Sequence, residues 1–162
     1  MGPPSSLARH RPTGHHRPVN ARLQVTIDCA DPGRLAVFWA AAAGYVLQPP
    51  PAGFESWPAA LASWGVPEAK WNSANAAVDP AGAGPRLFFQ QVAEPKTGKN
   101  RLHLDVGVSD GPDTPFEQKQ AQVLPEVERL TTLGANVVRQ VEEMNSFWVI
   151  MQDPEGNEFC VT

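Results

Sequence analysis

A histidine and an aspartate two residues apart are the first candidates for chemistry in this sequence. His103 and Asp105 alternate with apolar Leu102, Leu104 and Val106, which is the period of a β-strand with one polar and one apolar face. An imidazole beside a carboxylate suits general acid–base work, because the carboxylate can orient the imidazole. We predict both as catalytic residues; the alternative is a hydrogen-bonded pair that only stabilises the sheet.

An earlier segment of the chain repeats this pattern. Residues 23–28 alternate between apolar and polar side chains in the same way, and Gln24 takes the position that His103 has in the later segment. Each segment is followed, at nearly equal spacing, by an Asp-Pro turn, at Asp79 and at Asp153, and then by a further strand. We therefore interpret the sequence as a tandem duplication of one unit.

Each half is predicted to contain a strand, a helix and three more strands. In the first half a strand covers 23–29, a helix opens at Asp31-Pro32 and ends at Gly44, and strands follow from Tyr45, at 74–79 and at 86–92. In the second half a strand covers 100–106, a helix runs from Thr114-Pro115 to Leu133 with a kink or break at Pro125, and strands follow at 135–141, 146–152 and 158–162. The predicted fold class is α+β: two tandem βαβββ units forming a curved mixed sheet around a cleft, with helices outside.

Charge and hydropathy divide the chain and exclude several classes of partner. Residues 1–22 hold four arginines, three histidines and no acid, and we predict a disordered basic tail over 1–21. The first unit is placed at 22–94, a linker at 95–100 and the second unit at 101–162. The acidic body argues against nucleic acid, and the absence of an apolar run or a signal peptide argues against a membrane and for the cytoplasm.

Three tryptophans lie in the proline-rich segment between the second and third strands. Trp57, Trp64 and Trp71 follow one another at intervals of seven residues, where prolines prevent a long helix or a central strand. The functional interpretation is the wall of an apolar pocket, since such sites are lined by aromatic side chains. The alternative is a cover for an exposed sheet edge or a subunit interface.

Four segments, in this order and spacing, carry a resemblance to a known family: residues 23–28, 85–90, 95–105 and 152–159. Over residues 22–162 the sequence resembles the vicinal oxygen chelate superfamily of glyoxalases, bleomycin-resistance proteins and extradiol dioxygenases, and within it the glyoxalase-like domain branch. The resemblance implies the two-unit fold and a cup where a divalent metal polarises substrate oxygens. We also expect a homodimer.

The metal positions that the resemblance implies are only partly filled. His103 falls on the second-unit position, and Gln24 falls on the first-unit position, where the family sometimes uses glutamine. Cys160 takes the place of the last-strand glutamate, and residues 89–90 offer no carboxylate. Because this set is too poor for a hard cation, we expect no cofactor. A divalent metal, if bound, would take Gln24, His103 and Glu158; Cys160 with His103 is the alternative, a pair that suits zinc.

These observations predict a small-molecule protein of one of two kinds. The first is a glyoxalase-like lyase or isomerase that acts without the usual metal on an oxygenated or aromatic substrate in the cleft between the units. Asp28 and Glu158 then join His103 and Asp105 as catalytic residues, and the residues predicted to contact the substrate are Gln24, Trp71, Phe89, Trp148 and Cys160. The alternative is a bleomycin-resistance-like protein that sequesters an aromatic natural product or drug.

Overall fold

The computed structural model describes residues 22–144 and 146–162. The predicted basic tail, including its histidine pair at 15–16, therefore lies outside the described residues. No helix within the described ranges is long and apolar enough to cross a membrane.

The described chain forms two four-stranded mixed sheets, each with the same strand order. The first unit contains β1 (Gln24–Cys29), α1 (Pro32–Ala43), β2 (Val46–Leu47), α2 (Trp57–Ser63), a 3-10 turn (Glu68–Lys70), β3 (Ala74–Val78) and β4 (Arg86–Gln91). The second contains β5 (Asp105–Val106), α3 (Phe116–Thr132), β6 (Asn136–Glu143), β7 (Ser146–Gln152) and β8 (Glu158–Val161). The orders β1-β4-β3-β2 and β5-β8-β7-β6, each with one parallel pair, confirm the α+β class and its repeated βαβββ unit.

Helix α1 begins and ends as its sequence predicts. The Asp31 carboxylate accepts a hydrogen bond from the Arg34 backbone N–H at 3.1 Å, and Pro32 occupies the first turn. Gly44 ends the helix at a φ of 67°, a left-handed conformation that glycine adopts without a steric penalty. The apolar stripe of α1 is buried against the sheets: Leu35, Phe38, Trp39 and Ala42.

Two predicted elements differ from the structure. The strand expected at 100–106 pairs with β8 only at Asp105–Val106. It is shorter because, at the start of β8, the Asn100 side chain forms hydrogen bonds to the Glu158 backbone in place of a strand backbone. Its Nδ2 donates to the Glu158 carbonyl at 3.0 Å, and its Oδ1 accepts from the Glu158 N–H at 3.0 Å. Helix α3 contains Pro125 within its bounds and is not divided there.

One hydrophobic core joins the two units. It includes Leu35 and Phe89 from the first unit and Val149 and Phe159 from the second. The Trp39 ring packs edge-on against Phe159 with 5.3 Å between the ring centroids. The two units therefore fold around a shared interior.

A buried carboxylate in the last turn fastens the second unit to α1. Asp153, which is 1% exposed, accepts from the Trp39 indole N–H at 3.1 Å. It also accepts from the backbone N–H groups of Glu155 and Asn157 and from the Asn157 side chain. Beside it, the Glu155 carboxylate accepts from the N–H groups of Ala30 and Asp31, each at 2.7 Å.

Candidate functional site

The outward face of the first sheet carries a cavity of about 380 Å³. Arg86 and Phe88 of β4 and Ala74 and Ala76 of β3 share this face, because Ala76 is the register partner of Phe88. Residues of the segment from Gln48 to Ser73 form the other wall of the cavity. Its complete lining is Gln48, Trp57, Leu61, Val66, Lys70, Trp71, Ser73, Ala74, Asn75, Ala76, Arg86 and Phe88.

The covering segment folds around Trp57 and Trp71. Ser56 caps α2 by accepting from the Ala59 N–H at 3.3 Å, and proline follows in the first turn. The Trp57 indole N–H donates to the Gln48 carbonyl at 2.8 Å, and the Trp71 indole N–H donates to the Val66 carbonyl at 2.9 Å. Since both indole donors are satisfied by backbone, these rings offer apolar surface to the cavity.

Arg86 is the charged group on the cavity floor. Its Nε donates to Gln48 Oε1 and its Nη1 donates to Gln24 Oε1, both at 2.6 Å. The guanidinium carbon lies 4.7 Å from the centroid of the Phe88 ring, within the range of a cation–π contact. Partial burial lowers the pKa of Arg86, because water no longer fully solvates its charge.

A second group of reactive side chains lies on the second sheet. His103, Asp105 and Cys160 each offer one ligand atom, and these atoms all lie within 4.8 Å of one another. His103 Nε2 is 3.7 Å from Asp105 Oδ1, and both side chains are more than half exposed. The structure therefore brings the predicted pair together, but at the surface and outside the lining of the cavity.

The thiol of this cluster is held in its protonated form. Burial raises the pKa of Cys160, and the charge and hydrogen bond of Asp105 raise it further. The other cysteine, Cys29, is buried. Desolvation is the largest cause that raises its pKa to about 12, and the negative charge of the nearby Glu155 carboxylate is the second. Neither thiol is activated as a nucleophile, because the reactive species is the thiolate.

The chemistry of the donor set decides which metal the cluster fits. An imidazole nitrogen, a thiolate sulfur and a carboxylate oxygen are ligands that zinc accepts, and three protein ligands leave a position for substrate. The Gln24 oxygen already accepts from the Arg86 guanidinium, so a cation there would meet a positive charge. Glu158 is paired with Lys99. His103, Asp105 and Cys160 thus fit a zinc-type ion, whereas Gln24 and Glu158 are engaged elsewhere.

The remaining predicted contact residues are distributed over several surfaces. Trp71 lines the cavity, but Phe89 is fully buried in the core, and its neighbour Phe88 lines the cavity instead. The correction follows from strand alternation, because Phe89 pairs with Ile27 on the inward face of β1. Trp148 lies on β7 of the second sheet, and Asp28 lines a different surface depression near Glu155.

Sequence reasoning did not single out Arg86 as a site residue. A signal for it was present in the alternation of β4, which places Arg86 and Phe88 on the face opposite Leu87. Its partners Gln24 and Gln48 lie on separate elements, β1 and the segment after β2. Their convergence on one guanidinium depends on the sheet register, which the sequence pattern alone does not specify.

Comparison with protein families and solved structures gives a consistent result. Residues 24–162 match the family described as Glyoxalase-like domain. No curated protein matches the chain. The chain is similar to a glyoxalase/bleomycin resistance protein/dioxygenase family enzyme from Burkholderia phytofirmans PsJN, at 16% identity, 85% coverage of this chain, 94% coverage of that chain and a TM-score of 0.55.

Two further solved structures share the fold. One is a hypothetical protein from S. aureus, with 12% identity, 88% of this chain covered, 96% of that chain covered and a TM-score of 0.54. The other is a mutant of the fosfomycin resistance protein FosX from Listeria monocytogenes, complexed with Mn(II) and 1S,2S-dihydroxypropylphosphonic acid. It shows 10% identity, 88% and 89% coverage and a TM-score of 0.53. At these identities the likeness concerns the fold alone.

Proposed function

We infer that this chain, which belongs to the glyoxalase-like domain family, binds a flat, largely apolar small molecule in the cavity on its first sheet. The observation that carries this inference is the lining, in which Trp57, Trp71 and Phe88 supply aromatic surface. A volume of about 380 Å³ lies in the range of small-molecule sites. Calorimetric titration of the protein with indole-3-acetate and indole-3-acetamide tests the proposal. The absence of a saturable heat of binding with both probes would contradict it.

Binding is favoured over turnover because Lys70 is the only general acid–base side chain that the described chain places in the cavity lining. Its lining, taken over the described chain, includes no histidine, cysteine, aspartate or glutamate. The sequence-based order of the two hypotheses is therefore reversed, and sequestration of an aromatic compound becomes the first. The homodimer and the cytoplasmic location stay predictions from the sequence.

The cluster on the second sheet supports metal-assisted catalysis as the second candidate function. Only here do described histidine, cysteine and acidic side chains converge closely enough to hold an ion. A metal bound by His103, Asp105 and Cys160 would supply a Lewis acid for a substrate oxygen. The chain's own contribution would be to hold the ion and to release the Cys160 proton, because the thiolate is the ligand form.

Zinc binding should depend on this cluster. We expect the full chain, carrying His10→Ala, His15→Ala and His16→Ala to remove the tail ligands, to bind about one Co²⁺ as a spectroscopic substitute for zinc. A thiolate-to-cobalt charge-transfer band should appear and should be lost in Cys160→Ser, since it requires a sulfur ligand.

The matched control is Cys29→Ser, which removes the buried cysteine outside the cluster and should leave the band unchanged. His103→Ala should weaken cobalt binding by at least about tenfold, because loss of even a partner that only hydrogen-bonds a metal ligand typically costs about 10–100-fold in affinity. Metal binding that survives both His103→Ala and Cys160→Ser would remove the support for metal-assisted catalysis at this cluster.

A further inference from the structure

We propose that the ligand of the first-sheet cavity is an aromatic anion whose carboxylate is bound by Arg86. This rests on the proposed binding function and specifies the chemical class of the ligand. The aromatic part would lie against the tryptophan and phenylalanine rings, and the carboxylate would face the guanidinium.

The charges around the cavity are of one sign. Its lining contains the two cations Arg86 and Lys70 and, within the described chain, no carboxylate. Among residues 22–144 and 146–162, no aspartate or glutamate oxygen lies within 4.0 Å of the Arg86 guanidinium nitrogens. A partly buried arginine without an acidic partner keeps its charge and hydrogen-bond donors available to an anion.

The guanidinium is held in place before a ligand arrives. Two of its five N–H groups donate to the amide oxygens of Gln24 and Gln48, and the described chain offers no other hydrogen-bond acceptor to it. The central guanidinium carbon, Cζ, lies over the Phe88 ring at 4.7 Å from its centroid. Three N–H donors remain for an anion, and a fixed orientation reduces the entropy lost on binding.

The two glutamines distinguish this arrangement from a structural ion pair. Gln24 and Gln48 position the arginine through neutral oxygens, so its positive charge is not cancelled. Partial burial then strengthens the attraction of the guanidinium for an anion, because the local dielectric is lower than that of water. Gln48, Ser73 and Asn75 in the lining add polar groups that could hydrogen-bond a carboxylate oxygen.

A pair of isosteric probes isolates the charge. Indole-3-acetate and indole-3-acetamide have the same ring and nearly the same shape, but only the first is an anion at neutral pH. Calorimetric titration of the protein at low ionic strength should show indole-3-acetate binding at least about tenfold more tightly than indole-3-acetamide. A difference of this size is expected for a charge-assisted hydrogen bond.

Variants assign this preference to Arg86. Arg86→Met should abolish the preference for indole-3-acetate while leaving the affinity for indole-3-acetamide within about threefold of the wild-type value. The matched control is Arg34→Met, an exposed arginine of α1 outside the lining, which should keep the preference. Arg86→Lys should retain part of it, because the charge remains but the planar fork is lost.

The outcomes separate the anion proposal from the binding function beneath it. Equal affinity of wild type for the two probes would overturn anion recognition and leave the cavity as a neutral aromatic site. A preference that survives Arg86→Met would also overturn the role of Arg86. If neither probe binds the wild type, both the anion proposal and the binding function fail.

Discussion

Trp71→Ala should weaken the binding of an indole-sized aromatic ligand by at least about tenfold. The Trp71 ring lines the cavity and is held by the hydrogen bond of its indole N–H to the Val66 carbonyl. Loss of the apolar surface that such a ring covers corresponds to roughly 1.5–3 kcal/mol, or about one to two powers of ten in affinity. Calorimetric titration of wild type and variant measures this difference.

Trp148→Ala provides the control for the same chemical change. Trp148 lies on β7 of the second sheet and does not line the cavity, so its removal should alter affinity by less than about threefold. Ala74→Trp adds a second, opposite variant, because it fills the cavity without removing a core side chain. Ligand binding in this cavity is contradicted if Trp148→Ala is as damaging as Trp71→Ala, or if Ala74→Trp folds and binds as wild type does.

Asp153→Ala should lower the free energy of unfolding by roughly 3 kcal/mol or more. The carboxylate is 1% exposed, and its loss would leave the Trp39 indole N–H and the Asn157 donors without their acceptor inside the shared core. A buried donor without a partner costs about 1–3 kcal/mol, and several are affected together. Urea unfolding, with equal slopes for the two proteins, measures the change.

Asp79→Ala is the matched control, because the two turns are repeats of one another. Asp79 accepts from the backbone N–H groups of Ala81, Ala83 and Gly84, and these bonds lower its pKa. This turn faces water, which can replace the lost acceptor, so the loss should be much smaller. Equal losses in the two variants would contradict the larger stabilisation predicted for the buried Asp153 contacts.

The repeated unit could be predicted because each half carries local signals of its own. Asp31, Pro32 and Gly44 mark both ends of α1, and strand alternation marks β1 and β4. These signals act within a few residues, so they remain visible without knowledge of the rest of the fold. The strand at 100–106 was predicted too long, because the hydrogen bonds of the Asn100 side chain to Glu158 join residues far apart in sequence. A local pattern does not reveal such a contact.

In the candidate site, too, the local features could be predicted from the sequence and the tertiary ones could not. His103 and Asp105 are close in sequence, and alternation predicted them on one face; Cys160 was predicted only from the family resemblance, and the β5–β8 pairing places it beside them. Alternation gives no depth, however, and the pair lies at the surface. Phe89 was chosen as a contact residue on the wrong face of β4, since a one-residue shift exchanges the core and cavity faces.

The five tryptophans of the chain permit the most direct test of ligand binding in the first-sheet cavity. Their indole N–H signals, in protein labelled with nitrogen-15 and assigned by single Trp→Phe variants, report on separate surfaces. Trp57 and Trp71 lie at the cavity, Trp39 lies in the core, Trp64 is exposed and Trp148 lies on the second sheet.

The measurement is a titration of the labelled full-length protein with indole-3-acetate. The account predicts saturable shifts of the Trp57 and Trp71 signals with one common dissociation constant, and an unmoved Trp39 signal. Shifts confined to Trp148, or the absence of a saturable shift at Trp57 and Trp71, would contradict a ligand site in the first-sheet cavity.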